Sequence, residues 1–494
     1  MTFDPMNFTI AAPLLALAAG ALVILLLDLL LPARAAQPWW YLFGIGSVAL
    51  GGYYLMPLWN ATQVAGFNGY MLMDRLSVVF AAILLGTVFM TLLLSFTRTE
   101  EDKSGYLALV LWGAMGMLVM ASGNNLMTLF LGIELLSLAL YVAVAFDAKH
   151  KNAREAALKY FVLGSVASAF ILFGFALVYG VTGSMALPTI AKLAVGSSLY
   201  YKVGIALSLV GFGFKLALVP FHAWAPDVYQ GAPTPITAFM SVGTKAAAFA
   251  AVARFLMAAI PGDHQGAMLL PLTILATASM LLGGMVGIWQ SDLKRLMAYS
   301  GIAHAGYLIM ALVGLGNDGL SAAAYYLAAY FFTAMGIFAV ITLLESEGEE
   351  GASFSTLSGL FWRRPALGAA MAILMFALAG LPPTGGFIGK FLLAMSAVKM
   401  IPVFTTNAWV TLIGLMVSTG ISAYVYLKVI GTVFKKPAEG AAEHRARMAG
   451  AEAEELSLSP GTVRVGVLAV LIISVVGVLL LGILPGPIMS FLHI

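Results

Sequence analysis

Long apolar stretches recur along this 494-residue chain from one end to the other. Each is about 20 residues long, the length that an α-helix needs to cross the hydrocarbon core of a bilayer. A membrane β-barrel would instead show short segments of alternating hydrophobicity. Hydrophobic residues make up 61% of the chain, charged residues make up 10%, and the mean hydropathy is +0.98, all far from the values of soluble proteins. The sequence therefore predicts an all-α polytopic membrane protein.

Fourteen membrane spans account for these stretches. The first stretch is too long for a cleavable signal peptide and is interpreted as a span. Spans seven and twelve contain proline, and we expect them to be broken near Pro220 and near Pro382. The spans cover residues 8–31, 39–58, 74–96, 105–121, 124–146, 158–181, 202–231, 234–259, 268–289, 296–314, 320–345, 366–399, 407–434 and 463–489.

Lysine and arginine are distributed unevenly between the two sets of loops. The loops after odd-numbered spans contain fourteen of them, and the loops after even-numbered spans contain four. Because cytoplasmic loops carry an excess of basic residues, we expect the first set to be cytoplasmic and both termini to lie on the outer face. The fourteen are Arg34, Arg98, Lys103, Lys149, Lys151, Arg154, Lys294, Arg295, Arg363, Arg364, Lys435, Lys436, Arg445 and Arg447; the four are Arg75, Lys192, Lys202 and Lys399.

Two hydrophilic loops interrupt the apolar pattern, at residues 346–365 and 435–462. Neither is long enough for a soluble catalytic domain, and no nucleotide-binding loop is recognisable. The chain has no cysteine, which excludes disulfides, thiolate ligation of an iron–sulfur cluster and thiol catalysis. The net charge of +3 is small and gives no argument for binding nucleic acid.

Five charged residues are taken to lie well inside the predicted spans: Glu134, Lys159, Lys215, Lys245 and Lys390. An ionised group at the centre of a bilayer costs roughly 2.5–3.5 kcal/mol on insertion scales. Lys159 lies near a span end, where its charged end could instead reach the surface. The other three lysines are too central for that. One glutamate cannot neutralise four lysines one to one, so some of the lysines should be neutral part of the time.

A buried lysine of this kind can carry a proton. Burial disfavours the charged form of an amine and a nearby carboxylate favours it, so a movable carboxylate can load and unload the amine. Pro220 cannot donate to the carbonyl of Leu216, which leaves a free backbone acceptor beside Lys215. Unpaired backbone at membrane depth is tolerated where it lines protein or a hydrated cavity. We therefore interpret Lys215 as a stop on a proton path.

Histidines and hydroxyl groups supply further candidates, because imidazole can take up and release a proton near neutral pH. His304 lies inside span ten, and its position favours a relay role. His222 either relays a proton or caps the broken helix, and the sequence leaves both open. The hydroxyl groups inside spans either hold water chains or pack helices together; these residues are Ser137, Tyr141, Ser241, Thr244, Tyr299 and Ser300.

Spans seven and twelve also show a local similarity to each other. LALVPFHAW and LAGLPPTGGFIGK are both apolar runs that end in proline with a lysine nearby. The two spans are five apart, and this odd separation implies that two repeated units lie inverted in the membrane. Inverted repeats with paired broken helices are typical of transporters, and their breaks mark the ion path.

The motifs around these residues together resemble the antiporter-like subunits of proton-pumping NADH–quinone oxidoreductase, respiratory complex I. They are GIELLSLALY around Glu134, GFGFKLALVPFHAWAPDVYQGAPTP around Lys215, the stretch around Lys245, SDLKRLMAYSGIAHAGYL around His304 and LPPTGGFIGKF around Lys390. The resemblance covers spans four to thirteen. Within the family the chain is most similar to the subunit N type, the counterpart of mitochondrial subunit 2. It has lysine in span twelve where the subunit M type has glutamate, and it ends without the lateral helix of the subunit L type.

The resemblance implies an architecture. Spans four to eight and nine to thirteen are expected to form two inverted five-helix repeats, in which helices seven and twelve are broken. Residues 1–104 would then form an N-terminal three-helix segment and residues 105–260 the first repeat. Residues 261–434 would form the second repeat, and residues 435–494 a cytoplasmic loop and the last helix.

The resemblance also implies a role for each candidate on the proton path. Glu134 and Lys215 match the coupled pair of the first half-channel, and Lys159 matches a bridging or modulating lysine. Lys245 matches the central relay, His304 matches a connecting histidine, and Lys390 matches the terminal lysine of the second half-channel.

Cofactors and partners follow from the same resemblance. FMN, iron–sulfur clusters and quinone are expected in partner subunits, and no cofactor or metal is expected in this chain. The expected neighbours are the antiporter-like subunits of the M and L types, a small subunit of the K type and the lipid bilayer. The expected location is a bacterial inner (plasma) membrane, with both termini on the periplasmic side.

Two other functions remain open. Subunits of multi-subunit cation/proton antiporters share the core pattern, but a sodium site would need carboxylates or open carbonyls, whereas the central line here is rich in lysine and repels Na⁺. A purely structural subunit would leave three central lysines without a use. We predict a proton-translocating subunit of complex I, and the antiporter subunit is the alternative.

Overall fold

The computed structural model describes residues 7–60, 63–97, 103–147, 151–193, 198–260, 265–313, 316–346, 352–436 and 461–494. Several basic loop residues used to predict the orientation lie outside these ranges, namely Arg98, Lys149, Arg445 and Arg447. Most of the hydrophilic loop at 435–462 lies outside them as well, so its structure is not described.

The described chain is helical apart from one short antiparallel hairpin, in which β1 (Val64–Gly66) pairs with β2 (Met71–Met73). A π-helical turn covers Met240–Thr244. The helices are α1 (Phe8–Leu30), α2 (Ala33–Trp59), α3 (Arg75–Leu94), α4 (Lys103–Ser122), α5 (Leu126–Val144), α6 (Lys151–Thr182), α7 (Leu187–Leu193), α8 (Leu199–Leu216), α9 (Trp224–Gly231), α10 (Thr234–Phe239), α11 (Lys245–Ala259), α12 (Gln265–Gly287), α13 (Leu293–Leu312), α14 (Asn317–Glu345), α15 (Phe354–Leu357), α16 (Leu360–Arg363), α17 (Pro365–Ala379), α18 (Gly385–Met400), α19 (Thr405–Phe434), α20 (Gly461–Ile483) and α21 (Pro485–Leu492).

These helices confirm the predicted class, a polytopic helical membrane protein. Among the described residues, twelve helical segments are long and apolar enough to cross a membrane. Predicted spans ten and twelve correspond to α13 and to the pair α17 and α18, which fall outside that set. The count of fourteen and the two inverted repeats therefore stay predictions.

Span seven is broken as predicted, but the break begins before the proline. Helix α8 ends at Leu216, and Ala217 takes a left-handed conformation with φ 57°, which is a common way to end a helix. The amide of Leu218 then donates to the carbonyl of Gly213. Pro220 lies in the turn that follows, and the second half, α9, starts at Trp224. The turn at Ala217 therefore already ends the helix four residues before Pro220.

Span twelve is broken in a similar way. Helix α17 ends at Ala379, and Gly380 has φ 79°, a conformation that glycine adopts without the steric cost of a side chain. Helix α18 starts at Gly385 and contains Lys390. Lys390 therefore follows its break, whereas Lys215 precedes its own.

Two helices form the centre of the bundle. In the most apolar stretch of Thr234–Ala259, a segment that includes α11, every residue is buried, and in the corresponding stretch of α14 94% of the residues are buried. Helices that are apolar on all sides are expected in such positions. By contrast, α6 leaves large apolar side chains such as Leu158, Phe161 and Phe173 exposed. Lys245 thus lies in the interior, far from the face that meets lipid or a partner.

A buried ion pair ties one end of the bundle together. The guanidinium of Arg254 on α11 contacts the carboxylate of Asp74, which caps α3. The Arg254 Nε atom also donates to the carbonyl of Ala121 at 2.8 Å. The side chain of Arg254 is 7% exposed and that of Asp74 is 22% exposed. This contact joins α3, α4 and the central helix α11.

Candidate functional site

Lys215 contacts Ser137 of α5, the helix that also carries Glu134. Ser137 follows Glu134 by three residues, which places both on the same face of the helix. The Nζ atom of Lys215 donates to the Ser137 hydroxyl at 2.6 Å, and Ser168 of α6 donates to the Glu134 carboxylate. Within the described ranges, Glu134 and Lys215 form no ion pair at 4.0 Å or less. Each of the two predicted partners thus has a serine hydroxyl as its contact, Ser137 for Lys215 and Ser168 for Glu134.

Lys215 lies in the last turn of α8 and is 7% exposed. The negative end of the helix dipole favours a cation at this position. Its ammonium lies 6.0 Å from the centre of the Tyr141 ring. The Tyr141 hydroxyl is buried without a hydrogen-bond partner among the described residues. The surroundings of Lys215 therefore keep spare hydrogen-bonding capacity.

Lys159 is part of a separate charged cluster at the start of α6. Its Nζ atom lies 2.8 Å from Glu155 and 2.7 Å from Asp227 of α9. Asp227 in turn accepts from Arg295 of α13 at 2.7 Å. The Lys159 side chain is 42% exposed. The comparison of one glutamate with four lysines therefore does not apply to Lys159, because two carboxylates outside that count pair with it.

Lys245 directly follows the π-helical turn, a local widening that is frequent at functional sites. It is 3% exposed, and its Nζ atom donates to the Tyr229 hydroxyl at 2.8 Å. Gly301 of α13 leaves room for the amine, because a Cβ atom there would stand 2.8 Å from Nζ. The central lysine is thus held by a phenol and not by a carboxylate.

His304 lies in a cluster of tyrosines. Its Nδ1 atom contacts the Tyr326 hydroxyl, and its Nε2 atom lies 3.4 Å from the Tyr426 hydroxyl. The Tyr426 hydroxyl also lies 2.6 Å from the hydroxyl of Ser300. The imidazole is 3% exposed. Both ring nitrogens therefore have hydroxyl partners, an arrangement that can pass a proton through the ring.

Lys390 is held by the broken end of α17. Its Nζ atom donates to the carbonyls of Leu378 and Ala379 at 2.9 and 3.1 Å. These carbonyls belong to the last turn of the helix, where they lack partners within it and carry the negative end of the dipole. Lys390 also lies 5.4 Å from the centre of the Tyr307 ring. The break in span twelve thus supplies the acceptors for this lysine.

Ser241, Thr244 and His222 are further predicted candidates whose contacts the structure describes. Ser241 and Thr244 donate to carbonyls of their own helix, as packing residues do. Helix α9 begins after Ala223 without a side-chain cap, and the Nδ1 atom of the nearby His222 is buried without a partner among the described residues. His222 therefore does not cap the second half of the broken helix.

Sequence reasoning missed the tyrosines that contact the lysine and histidine line. Tyr229 lies inside the motif already quoted around Lys215, while Tyr326 and Tyr330 lie in the α14 segment AAAYYLAAY. Tyrosines inside an apolar span would have been a usable signal, because a buried hydroxyl needs a partner.

The described hydrogen bonds do not join these groups into one chain. In the described part of the molecule, the side-chain bond of Lys245 reaches Tyr229, and the His304 cluster forms a separate set. No group of three or more histidine, aspartate or glutamate residues that could hold a metal ion is found among the described residues. Proton movement between the groups would therefore need water molecules or side-chain motion.

Known proteins resemble this chain over its whole length. The family described as "NADH:quinone oxidoreductase/Mrp antiporter, TM" matches residues 123–416. NADH-quinone oxidoreductase subunit N 1 of Symbiobacterium thermophilum is 58% identical over 99% of this chain and 98% of the relative. NADH-quinone oxidoreductase subunit N 2 of Roseiflexus castenholzii is 37% identical over 99% of this chain and 96% of the relative.

Solved structures agree with these relatives. A chain of respiratory complex I from Thermus thermophilus with bound aureothin superposes with a TM-score of 0.78 at 33% identity, over 97% of this chain and 98% of that one. A chain of the Mrp complex from Dietzia sp. DQ12-45-1b gives 0.77 at 20% identity, over 99% and 97%, which shows the shared fold alone. The chain therefore belongs to the NADH:quinone oxidoreductase/Mrp antiporter family of transmembrane subunits, with full-length relatives of the subunit N type.

Proposed function

We propose that this chain moves protons across the membrane as a subunit of an NADH–quinone oxidoreductase, driven by electron transfer in other subunits. One observation carries the proposal: three buried lysines have only neutral hydrogen-bond partners among the described residues. Lys215 donates to a serine hydroxyl, Lys245 to a phenol, and Lys390 to two backbone carbonyls. A neutral partner lets a lysine exist in both protonation states, as a proton carrier must.

The first step takes place around Glu134. Its charge favours the ammonium form of Lys215, and Ser137 accepts a hydrogen bond from that ammonium. When the partner subunits weaken this arrangement, the neutral amine becomes favoured and the proton leaves Lys215. The hydrogen bond from Ser168 gives the Glu134 carboxylate a stable position without an ion pair to Lys215.

The later steps lead to the second break. The proton passes to Lys245, then through the His304 cluster to Lys390. There the carbonyls at the end of α17 hold the ammonium until a change of field releases the proton to the outer face. The neighbours in this proposal are antiporter-like subunits of the M and L types and a small subunit of the K type, in a bacterial plasma membrane with both termini periplasmic. Quinone, FMN and iron–sulfur clusters belong to partner subunits.

The proposal is tested by removing either member of the first pair. Lys215→Ala and Glu134→Ala are expected to lower NADH-driven proton pumping and coupled quinone reduction in membranes while the complex still assembles. Lys399→Ala is the matched control, because Lys399 forms an ion pair with Asp318 on the exposed surface, with side chains 60% and 61% exposed. Pumping at the wild-type level in both test variants would refute the mechanism.

The antiporter alternative rests on the fold shared with the Mrp complex. A native gel of mildly solubilised membranes, stained for NADH dehydrogenase activity and probed for this chain, separates the two. Comigration with the activity at several hundred kilodaltons supports the oxidoreductase. A smaller assembly without NADH activity would favour the antiporter and call for Na⁺-dependent transport assays.

A further inference from the structure

Tyr330 on α14 has a hydroxyl group that the fold does not use. The residue is 3% exposed, and its hydroxyl is buried without a hydrogen-bond partner among the described residues. Leaving a buried polar group unpaired destabilises a fold. A phenylalanine would avoid that cost, so the hydroxyl calls for an explanation beyond packing.

The Tyr330 side chain borders both the central lysine and the histidine cluster. A Cβ atom on Gly301 would stand 2.8 Å from the Lys245 Nζ atom and 3.6 Å from the Tyr330 hydroxyl, so both groups border one small space. On its other side, the Tyr330 ring packs against His304 with ring centres 4.6 Å apart. Polar groups across such a space are commonly joined by a bridging water.

We propose that the Tyr330 hydroxyl relays the proton between Lys245 and the His304 cluster. This inference rests on the proposed function and names a step within it. An N–H bond of the Lys245 ammonium breaks as a new O–H bond forms at Tyr330, directly or through water. The original phenolic proton leaves for the hydroxyl and imidazole groups around His304. The phenol is neutral before and after the step, and one proton has moved one site along the path.

The neighbouring tyrosines show why Tyr330 is the group that fits this step. Tyr229 already accepts from Lys245, and Tyr326 and Tyr426 already contact the two nitrogens of His304. Tyr330 borders both sets and has no fixed partner among the described residues. A hydroxyl without a fixed partner is free to rotate between the two sides, as a relay must.

The test replaces single hydroxyl groups on α14. Tyr330→Phe removes the proposed relay, and Tyr325→Phe is the matched control, because the Tyr325 hydroxyl donates to the carbonyl of Leu481. Both variants are measured in the whole complex in membranes, by NADH-driven proton pumping, coupled quinone reduction and the amount of assembled complex. A purely structural account predicts the opposite order, since only the control loses a hydrogen bond that the fold makes.

Positioned proton-transfer groups typically contribute about 10²–10⁴-fold, and water can replace part of that effect. We therefore expect pumping in Tyr330→Phe to fall about tenfold or more, with normal assembly and with Tyr325→Phe near the wild type. If Tyr330→Phe fails to assemble, Gly301→Ala decides the question, because its methyl group fills the space between the two polar groups. Normal pumping in that assembled variant overturns the relay.

Lys245→Ala separates the relay from the proposed function. Normal pumping in Tyr330→Phe together with lost pumping in Lys245→Ala would overturn the relay and leave the path through the lysines in place. Normal pumping in both would overturn the proton path through α11, and the relay with it.

Discussion

Ser137→Ala is the sharpest single test of how this chain controls its first lysine. Ser137 provides the hydrogen bond that the structure gives to the Lys215 ammonium, at 2.6 Å. The substitution removes one oxygen atom and leaves Glu134, Lys215 and the helix backbone unchanged. It therefore asks whether a neutral acceptor beside the pair sets the charge of the lysine.

The size of the effect follows from that contact. A hydrogen bond to a charged group contributes about 1.5–3 kcal/mol, and each 1.4 kcal/mol is a factor of about ten in an equilibrium constant. The loss falls mainly on the charged form of Lys215. The ratio of charged to neutral lysine is then expected to fall about 10- to 150-fold in Ser137→Ala. If loading of this lysine limits transport, pumping falls by up to the same factor.

The assay compares proton pumping and coupled quinone reduction in membranes with the amount of assembled complex. Ser137 donates to the carbonyl of Ile133, four residues before it. Ser165→Ala is the matched control, because Ser165 of α6 donates to a carbonyl in the same way but is exposed and lies outside the lysine's contacts. Ser137→Thr keeps the hydroxyl and is expected to restore much of the activity. Equal pumping in Ser137→Ala and Ser165→Ala would refute the reasoning.

Two further predictions concern the second break and the stability of the bundle. Gly380→Ala places a methyl group 2.8 Å from the Cδ atom of Lys390. Pumping should therefore fall further than in the control Gly183→Ala, where φ is also positive but no atom lies within 4 Å of the added methyl group. Equal losses of pumping in the two variants would assign the effect to backbone strain alone. Asp74→Ala leaves the buried Arg254 without its carboxylate and should destabilise the subunit by about 3–5 kcal/mol, seen as earlier thermal inactivation of the solubilised complex. An unchanged midpoint would show that the carbonyl of Ala121 and the hydroxyl of Ser77 suffice.

The breaks and the charged residues could be predicted because each violates a strong rule. Proline within an apolar span and lysine at membrane depth are both costly, so they mark positions where the fold must provide something unusual. The predicted break of span seven and the burial of Lys215, Lys245 and Lys390 are confirmed. Such residues predict local structure directly, because few conformations of the chain can accommodate them within a membrane.

The contacts across helices could not be predicted in the same way. Helices α11 and α14 are buried on nearly all sides, so the hydrophobic pattern singles out no face, and the sequence leaves the rotation of each helix open. That rotation decides that Tyr229 meets Lys245 and that Tyr330 turns toward Gly301. The pairing of Lys159 with Asp227 likewise joins residues 68 positions apart across two helices.

The neutral partners of the three central lysines have a consequence for coupling along the chain. A carboxylate beside each lysine would cancel its charge, and a proton arriving at one site would change little at the next. A hydroxyl, a phenol and a helix end cancel no whole charge. In a medium of low dielectric constant the interaction between unit charges is strong at a given distance, so each proton that binds should disfavour a second charge on a neighbouring lysine. Lys215, Lys245 and Lys390 are therefore expected to load alternately, which would let a local event at Glu134 be felt at the far break without large movement of the helices.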